Sequence, residues 1–117
     1  MHIKRLILLA MFSVVQIGIS QSLNYYVDAV GGNDTNDGRS SGRAWKTLAK
    51  VNAIRFQAGD SVLLKSSSVW TGQLVLQGSG AKGAPIVADM YGGSVKPRID
   101  GNGIVGTATV YLNNGKF

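Results

Sequence analysis

Ser61-Val62-Leu63-Leu64-Lys65, Gln73-Leu74-Val75-Leu76-Gln77, Pro85-Ile86-Val87-Ala88-Asp89, Pro97-Arg98-Ile99-Asp100 and Thr109-Val110-Tyr111-Leu112 are five short runs rich in strand formers. Their starts fall 12 residues apart each time. Between them lie SSSVWTG, GSGAKGA, MYGGSVK and GNGIVGTA, which read as turns. Short strands at regular spacing mean a sandwich, a barrel or a solenoid. The gaps are too short for helical crossovers, so an ordinary βαβ sheet is excluded. The turns are longer and richer in glycine than tight hairpins prefer, and no Asn-Gly pair joins two complete runs. Both points favour the solenoid. Two runs per coil would give a period of about 24 residues, within the range of a parallel β-helix.

Upstream, Asn24 to Val30 (NYYVDAV) has a strand pattern. A loop dense in Gly, Asn, Asp and Ser follows, GGNDTNDGRSSG. From Ala44 the period changes: Ala44, Leu48 and Val51 fall at i, i+4, i+7, which predicts an amphipathic helix ending before Phe56. Arg43, Lys46 and Lys50 take its other side, as a helix packed on a solenoid end requires. The first coil of a solenoid exposes apolar surface and a strand edge, and a helix placed directly before it caps both. The expected organisation is residues 1–20 as a signal peptide, 21–58 as an N-terminal cap, and 59–117 as the first coils. About two and a half coils are present where at least three are normally needed, so a truncated chain is expected.

Residues 1–20 have the parts of an export signal. Lys4 and Arg5 are followed by an apolar run from Leu6 to Val15, with small residues at Gly18 and Ser20, and cleavage is expected before Gln21. The run is short for a transmembrane anchor, which needs about 20 residues. The absence of Cys excludes a lipoprotein at this site and leaves the secreted domain without disulfides. Once the signal leaves, ten Lys and Arg stand against six acids, a net of +4, and every acid is Asp. The single His, His2, leaves with the signal. A Ser-His-Asp triad and His- or Cys-based zinc sites are therefore excluded within the chain. A paired-carboxylate glycosidase would have to use two Asp. The basic residues are scattered, which suits a solvated surface better than a nucleic-acid interface.

The order YYVDAVGGNDTNDG, AWKTLAKVNA, FQAGDSVLLKSSSVWTGQLVL, GAPIVADMYGG and KPRIDGNG, across residues 25–117, resembles the N-terminal region of secreted right-handed parallel β-helix proteins. These are the pectate-lyase-like proteins, which include bacterial polysaccharide lyases and glycoside hydrolases. Trp45-Lys46-Thr47-Leu48, Gly59-Asp60 and Ile99-Asp100-Gly101 carry most of the likeness. The resemblance implies an all-β right-handed parallel β-helix with a cap helix at about 45–54. It implies catalytic residues in coils beyond residue 117, so no catalytic residue is assigned here. It also implies Ca²⁺ in the parent protein when the reaction is a lyase's, because the uronate carboxylate must be neutralised before the adjacent carbon loses its proton.

Two sites are candidates in the residues themselves. Asp34, Asn36 and Asp37 beside Gly38 could ligate Ca²⁺. An EF-hand frame read from Asn33 reaches Ala44 where a bidentate Glu is needed, and Asx turns explain the same residues more simply. Trp70, in a turn segment, is the aromatic expected to be exposed and free to stack on a sugar. Trp45 is expected in the core, fixing the cap to the first coil. Asp60 and Asp100 read as turn formers. Gly101, Gly103 and Gly106 match a dinucleotide fingerprint in spacing only, since strand-forming residues follow instead of a helix. Asn33-Asp34-Thr35 is a glycosylation sequon that an unmodified turn also explains.

The expected function is that of the N-terminal part of a secreted protein acting on extracellular, anionic polysaccharide, by β-elimination or hydrolysis. No nucleic-acid partner and no membrane association after signal cleavage are expected. Location is extracellular, periplasmic or cell-surface. The alternatives are a non-catalytic β-helix adhesin or carbohydrate-binding protein, and a small β-sandwich unrelated to sugars.

Overall fold

The computed structural model describes residues 21–103 and 109–113. The expected signal at 1–20, the Gly106 end of the glycine motif and the tail at 114–117 lie outside the described residues. The fold is all-β with little helix. Among the described residues the strands are β1 (Asn24–Val27), β2 (Arg55–Phe56), β3 (Ser61–Lys65), β4 (Val69–Thr71), β5 (Leu74–Gly78), β6 (Val87–Tyr91), β7 (Arg98–Asp100) and β8 (Val110–Asn113). They form three small sheets ordered β1-β3-β6, β2-β5-β8 and β4-β7. Every pairing between these described strands is parallel.

All five runs form strands, but their pairing differs from two runs per coil. The first run pairs with the third, Ser61 facing Val87. The second pairs with the fifth, Leu74 facing Val110, and not with the fourth. The fourth run instead lies against Val69–Thr71, with Trp70 opposite Ile99. A third sheet therefore runs through SSSVWTG, which its serines and glycine made look like a turn. Val69, Trp70 and Thr71 are all strand formers, and burying Trp70 draws them into register.

Alternation decides which side chains face inward. In β3 Val62 and Leu64 are buried, and in β5 Leu74 and Leu76. They join Val27, Trp45, Leu48, Val51, Phe56, Trp70 and Ile86 in one core. Within β6, Ala88 lies opposite Val62 and Met90 opposite Leu64, so both continue the inward rows. Ala88 is exposed and Met90 half-buried among the described residues. A cavity of about 330 Å³ opens there, lined by Leu64, Ala88, Met90 and Pro97 among others.

The helix is shorter than its apolar stripe predicted. α1 spans Leu48–Asn52 after a 3₁₀ turn at Ser41–Arg43. Ala44 and Trp45, expected in or at the start of the helix, are extended. The Trp45 N–H donates to Tyr26 O and the Asp28 N–H donates to Trp45 O, a parallel bridge beside β1. The stripe is buried as expected (Ala44, Leu48, Val51), but two different elements supply it. Thr47 starts the helix, its hydroxyl oxygen accepting from the Lys50 N–H at 3.1 Å. At the far end the Asn52 side chain acts as a strand residue. It donates to Gln73 O at 2.9 Å and accepts from the Val75 N–H at 2.7 Å, serving β5 where β2 is too short to reach.

Asp60 does more than form a turn. It is 2% exposed, and its two oxygens accept from the Leu23 and Gln57 N–H groups at 3.0 and 2.8 Å. The carboxylate joins the start of the chain to the loop before β3.

Candidate functional site

Asp34, Asn36 and Asp37 sit in one loop, but their side chains reach different partners. Asp34 Oδ1 accepts from the Lys46 and Thr47 N–H groups at 2.8 and 3.0 Å, and Oδ2 accepts from the Thr47 hydroxyl at 2.6 Å. The same hydroxyl caps α1, so Asp34 positions the cap. The Asn36 amide donates to Ala44 O at 3.0 Å. Asp37 accepts from the Arg39 N–H at 3.0 Å and lies 3.5 Å from the Arg43 Nε, an exposed pair that contributes little. Among the described residues no group of three or more His, Cys, Asp or Glu is placed to hold a metal ion.

The Asp34 bonds have a pH signature. Burial, the largest single influence, would raise the pKa of its carboxyl, but the Thr47 hydroxyl, the two N–H groups and the Lys50 charge together hold it below the ordinary value. The stabilisation is present above the unfolded carboxyl pKa of about 4 and is lost as pH falls through the lower folded value. The urea midpoint of the wild-type chain is expected to drop below about pH 4. In Asp34→Asn the drop should be shallower, with Asp28, also held below its ordinary value, still contributing. Parallel curves for the two proteins would show that the bonds contribute nothing to stability.

Trp70, the expected sugar platform, is only 7% exposed. Its indole N–H donates to Lys46 O at 2.8 Å, and its ring packs in the core. The expected exposure is thus corrected: facing the interior, Trp70 ties β4 to the segment entering α1. Trp45 is 3% exposed, as its core placement predicted. Its ring stacks on Tyr25 at 5.1 Å and 21°, and its N–H donates to Asn36 O at 2.8 Å.

A different cluster emerges on the outward side of the β1-β3-β6 sheet. Asp28 directly follows β1, whose register with β3 brings it beside Lys65, and Lys65 lies opposite Tyr91. Asp28 Oδ1 accepts from the Val30 and Gly31 N–H groups at 3.0 Å each, and Oδ2 lies 3.7 Å from Lys65 Nζ. Burial opposes ionisation of Asp28, but those N–H groups and Lys65 together hold its carboxyl below the ordinary pKa. Lys65 Nζ stands 6.0 Å from the Tyr91 ring centre, and Tyr26 meets Tyr91 edge-on at 5.0 Å. The Tyr91 hydroxyl is buried without a hydrogen-bond partner. Burial, then Asp28, then Tyr26 raise its pKa, so it keeps its proton. A cleft of about 330 Å³ opens between the turn at Asp28–Gly31 and the turn at Lys65–Ser68. Asp28 and Lys65 are too far apart in sequence for spacing to have revealed this pair.

Comparison with protein-family models gives no match. The chain does show similarity to lacto-N-biosidases, which are glycoside hydrolases. In particular, a lacto-N-biosidase of Bifidobacterium longum subsp. longum is 38% identical over 94 residues, covering 75% of this chain and 6% of that protein. The crystal structure of the GH136 lacto-N-biosidase from Eubacterium ramulus, as its selenomethionine derivative, superposes with a TM-score of 0.61 at 34% identity. That match covers 80% of this chain and 15% of the other. The native form of the same enzyme gives a TM-score of 0.54 at 37% identity, over 63% and 12% of the two chains. The chain therefore spans a small part of the length of these relatives.

Proposed function

We propose that this chain forms the opening coils of a right-handed parallel β-helix in a secreted glycoside hydrolase, one that acts on a neutral oligosaccharide of the lacto-N-biose type. The observation that carries the reading is the 34% identity and TM-score of 0.61 to a GH136 lacto-N-biosidase over 80% of this chain. Stacked coils account for the topology: all pairings between the described strands are parallel, and each joins strands from different passes of the chain. The pectate-lyase-like resemblance points to the same architecture. In this reading residues 21–58 cap the stack, with β1 and β2 extending the sheets of β3 and β5 and α1 packed over the end. Residues 1–20 direct export, so the protein works outside the cytoplasm.

A lacto-N-biose unit carries no carboxylate. A neutral glycan thus replaces the anionic polysaccharide that the resemblance to lyases suggested, and hydrolysis has no need of a calcium ion to neutralise a uronate. Hydrolysis would require two suitably spaced carboxyl groups. We place them in other coils of the protein, given the 15% coverage of the solved relative. This chain's own part is to close the end of the stack and set the register of the coils.

The test is to purify the product of the whole reading frame that encodes this chain and supply a lacto-N-biose p-nitrophenyl glycoside. Nitrophenol and the free disaccharide are the expected products. A folded protein that leaves the glycoside intact, or that cleaves polygalacturonate instead, would overturn the reading.

A further inference from the structure

We propose that the cleft between the Asp28–Gly31 and Lys65–Ser68 turns is a subsite for a single pyranose ring of a neutral glycan. Its volume of about 330 Å³ lies at the small end of ligand clefts, enough for one ring and too little for a polymer. Its charges cancel locally, with Lys65 Nζ 3.7 Å from Asp28 Oδ2. What remains is a donor and an acceptor side by side, which suits sugar hydroxyls. A uronate would bring a second carboxylate against Asp28, which is held in its ionised form.

Two further features point to a ligand. Ser67 has φ +67°, a left-handed conformation that strains a residue with a Cβ and costs glycine nothing. Ser67 is exposed and lines the cleft, so the strain keeps a hydroxyl at its wall. Its neighbours are committed elsewhere: the Ser66 hydroxyl bonds both Val95 backbone groups, and Ser68 Oγ accepts from the Ala29 N–H. Val30, 85% exposed, gives the cleft an apolar lip for the C–H face of a ring.

The choice of probe rests on the neutral-oligosaccharide reading above, while the chemistry of the cleft stands without it. The full chain is titrated with lacto-N-biose and, separately, with digalacturonate, and binding is followed by NMR shifts of Lys65–Ser68. Saturable binding of the neutral disaccharide is expected, at least about fivefold tighter than that of the uronate, a margin of roughly one hydrogen bond. Ser67→Gly removes the hydroxyl and relieves the strain. It should weaken binding by about fivefold while leaving the melting temperature equal or higher, a combination that a purely structural serine would not give. Asp28→Asn should leave Lys65 unmatched and shift preference toward digalacturonate. No saturable binding, unchanged affinity in Ser67→Gly, or a wild-type preference for the uronate would overturn the subsite. Binding without hydrolysis by the whole protein would count only against the proposed activity, and hydrolysis without binding here only against the subsite.

Discussion

Gly78→Ala is expected to destabilise the chain by about 3–5 kcal/mol, the sum of a backbone cost and an overlap cost. Gly78 has φ +129°, where residues with a side chain are rarely found. A Cβ built there would stand 2.2 Å from Phe56 O, its partner in the β2–β5 pairing. The obstacle is backbone, so no rotamer change relieves it. To admit a methyl group, β2 must move away from β5 and take Phe56, 2% exposed, out of the core. Folded domains have only about 5–15 kcal/mol in hand. Gly83→Ala is the control. Its φ is +77° with nothing within 4 Å of the added carbon, so it should cost about 1 kcal/mol, from left-handed strain alone. Urea denaturation followed by circular dichroism reads both. Equal losses for the two variants would show that the contact with Phe56 is not what requires glycine at 78.

Trp70→Ala should cost about as much, 3–5 kcal/mol, the usual range for deleting a core aromatic. The loss has two parts that a second variant separates. Trp70→Phe keeps a six-membered ring in the core, removes the bond to Lys46 O and leaves a small cavity, so about 2 kcal/mol is expected. An exposed sugar-stacking tryptophan would behave otherwise, with both substitutions near neutral for stability. The melting temperatures of the two variants therefore decide between a core residue and a platform.

Trp70 also shows where the sequence stops being informative. In Ser61–Lys65 and Leu74–Gly78, alternation over five residues marks both the strand and its inward face. Val69–Thr71 is three residues long, too short for a period to register, and is flanked by serine and glycine. Its partner, Arg98–Asp100, lies in a distant segment that spacing alone assigned to another row. The helical stripe misled for a related reason. Ala44, Leu48 and Val51 are all buried, but Ala44 lies in the extended segment beside β1, and burial at i, i+4, i+7 does not require one continuous helix.

The polar residues were harder still. Asp34 and Asn36 do lie in an oxygen-rich turn, yet the groups they bond, Thr47 and Ala44, become neighbours only when the chain folds back. Asp60 reads as a turn former in its local context, while its bond to the Leu23 N–H spans 37 positions. Asn52 looks like a helix terminus and works as an extra rung for β5. Asp28 and Lys65 meet because β1 lies beside β3. In each case the chemistry was visible in the residue type and the partner was not.

The sheets contain no pair of strands adjacent in sequence: β1 finds β3, β2 finds β5, and β4 finds β7. That arrangement governs time as well as shape. Hairpins close within microseconds because their turn holds the strands together, and this chain has none among its described strands. Each contact must wait for a long loop to close, which places the domain among slow folders with refolding in milliseconds to seconds. A chain made N-terminus first cannot seat Asn24–Val27 until Ser61–Lys65 has arrived, and through that interval both edges stay open to wrong partners. Refolding speed and yield, more than final stability, are the properties that this topology puts at risk.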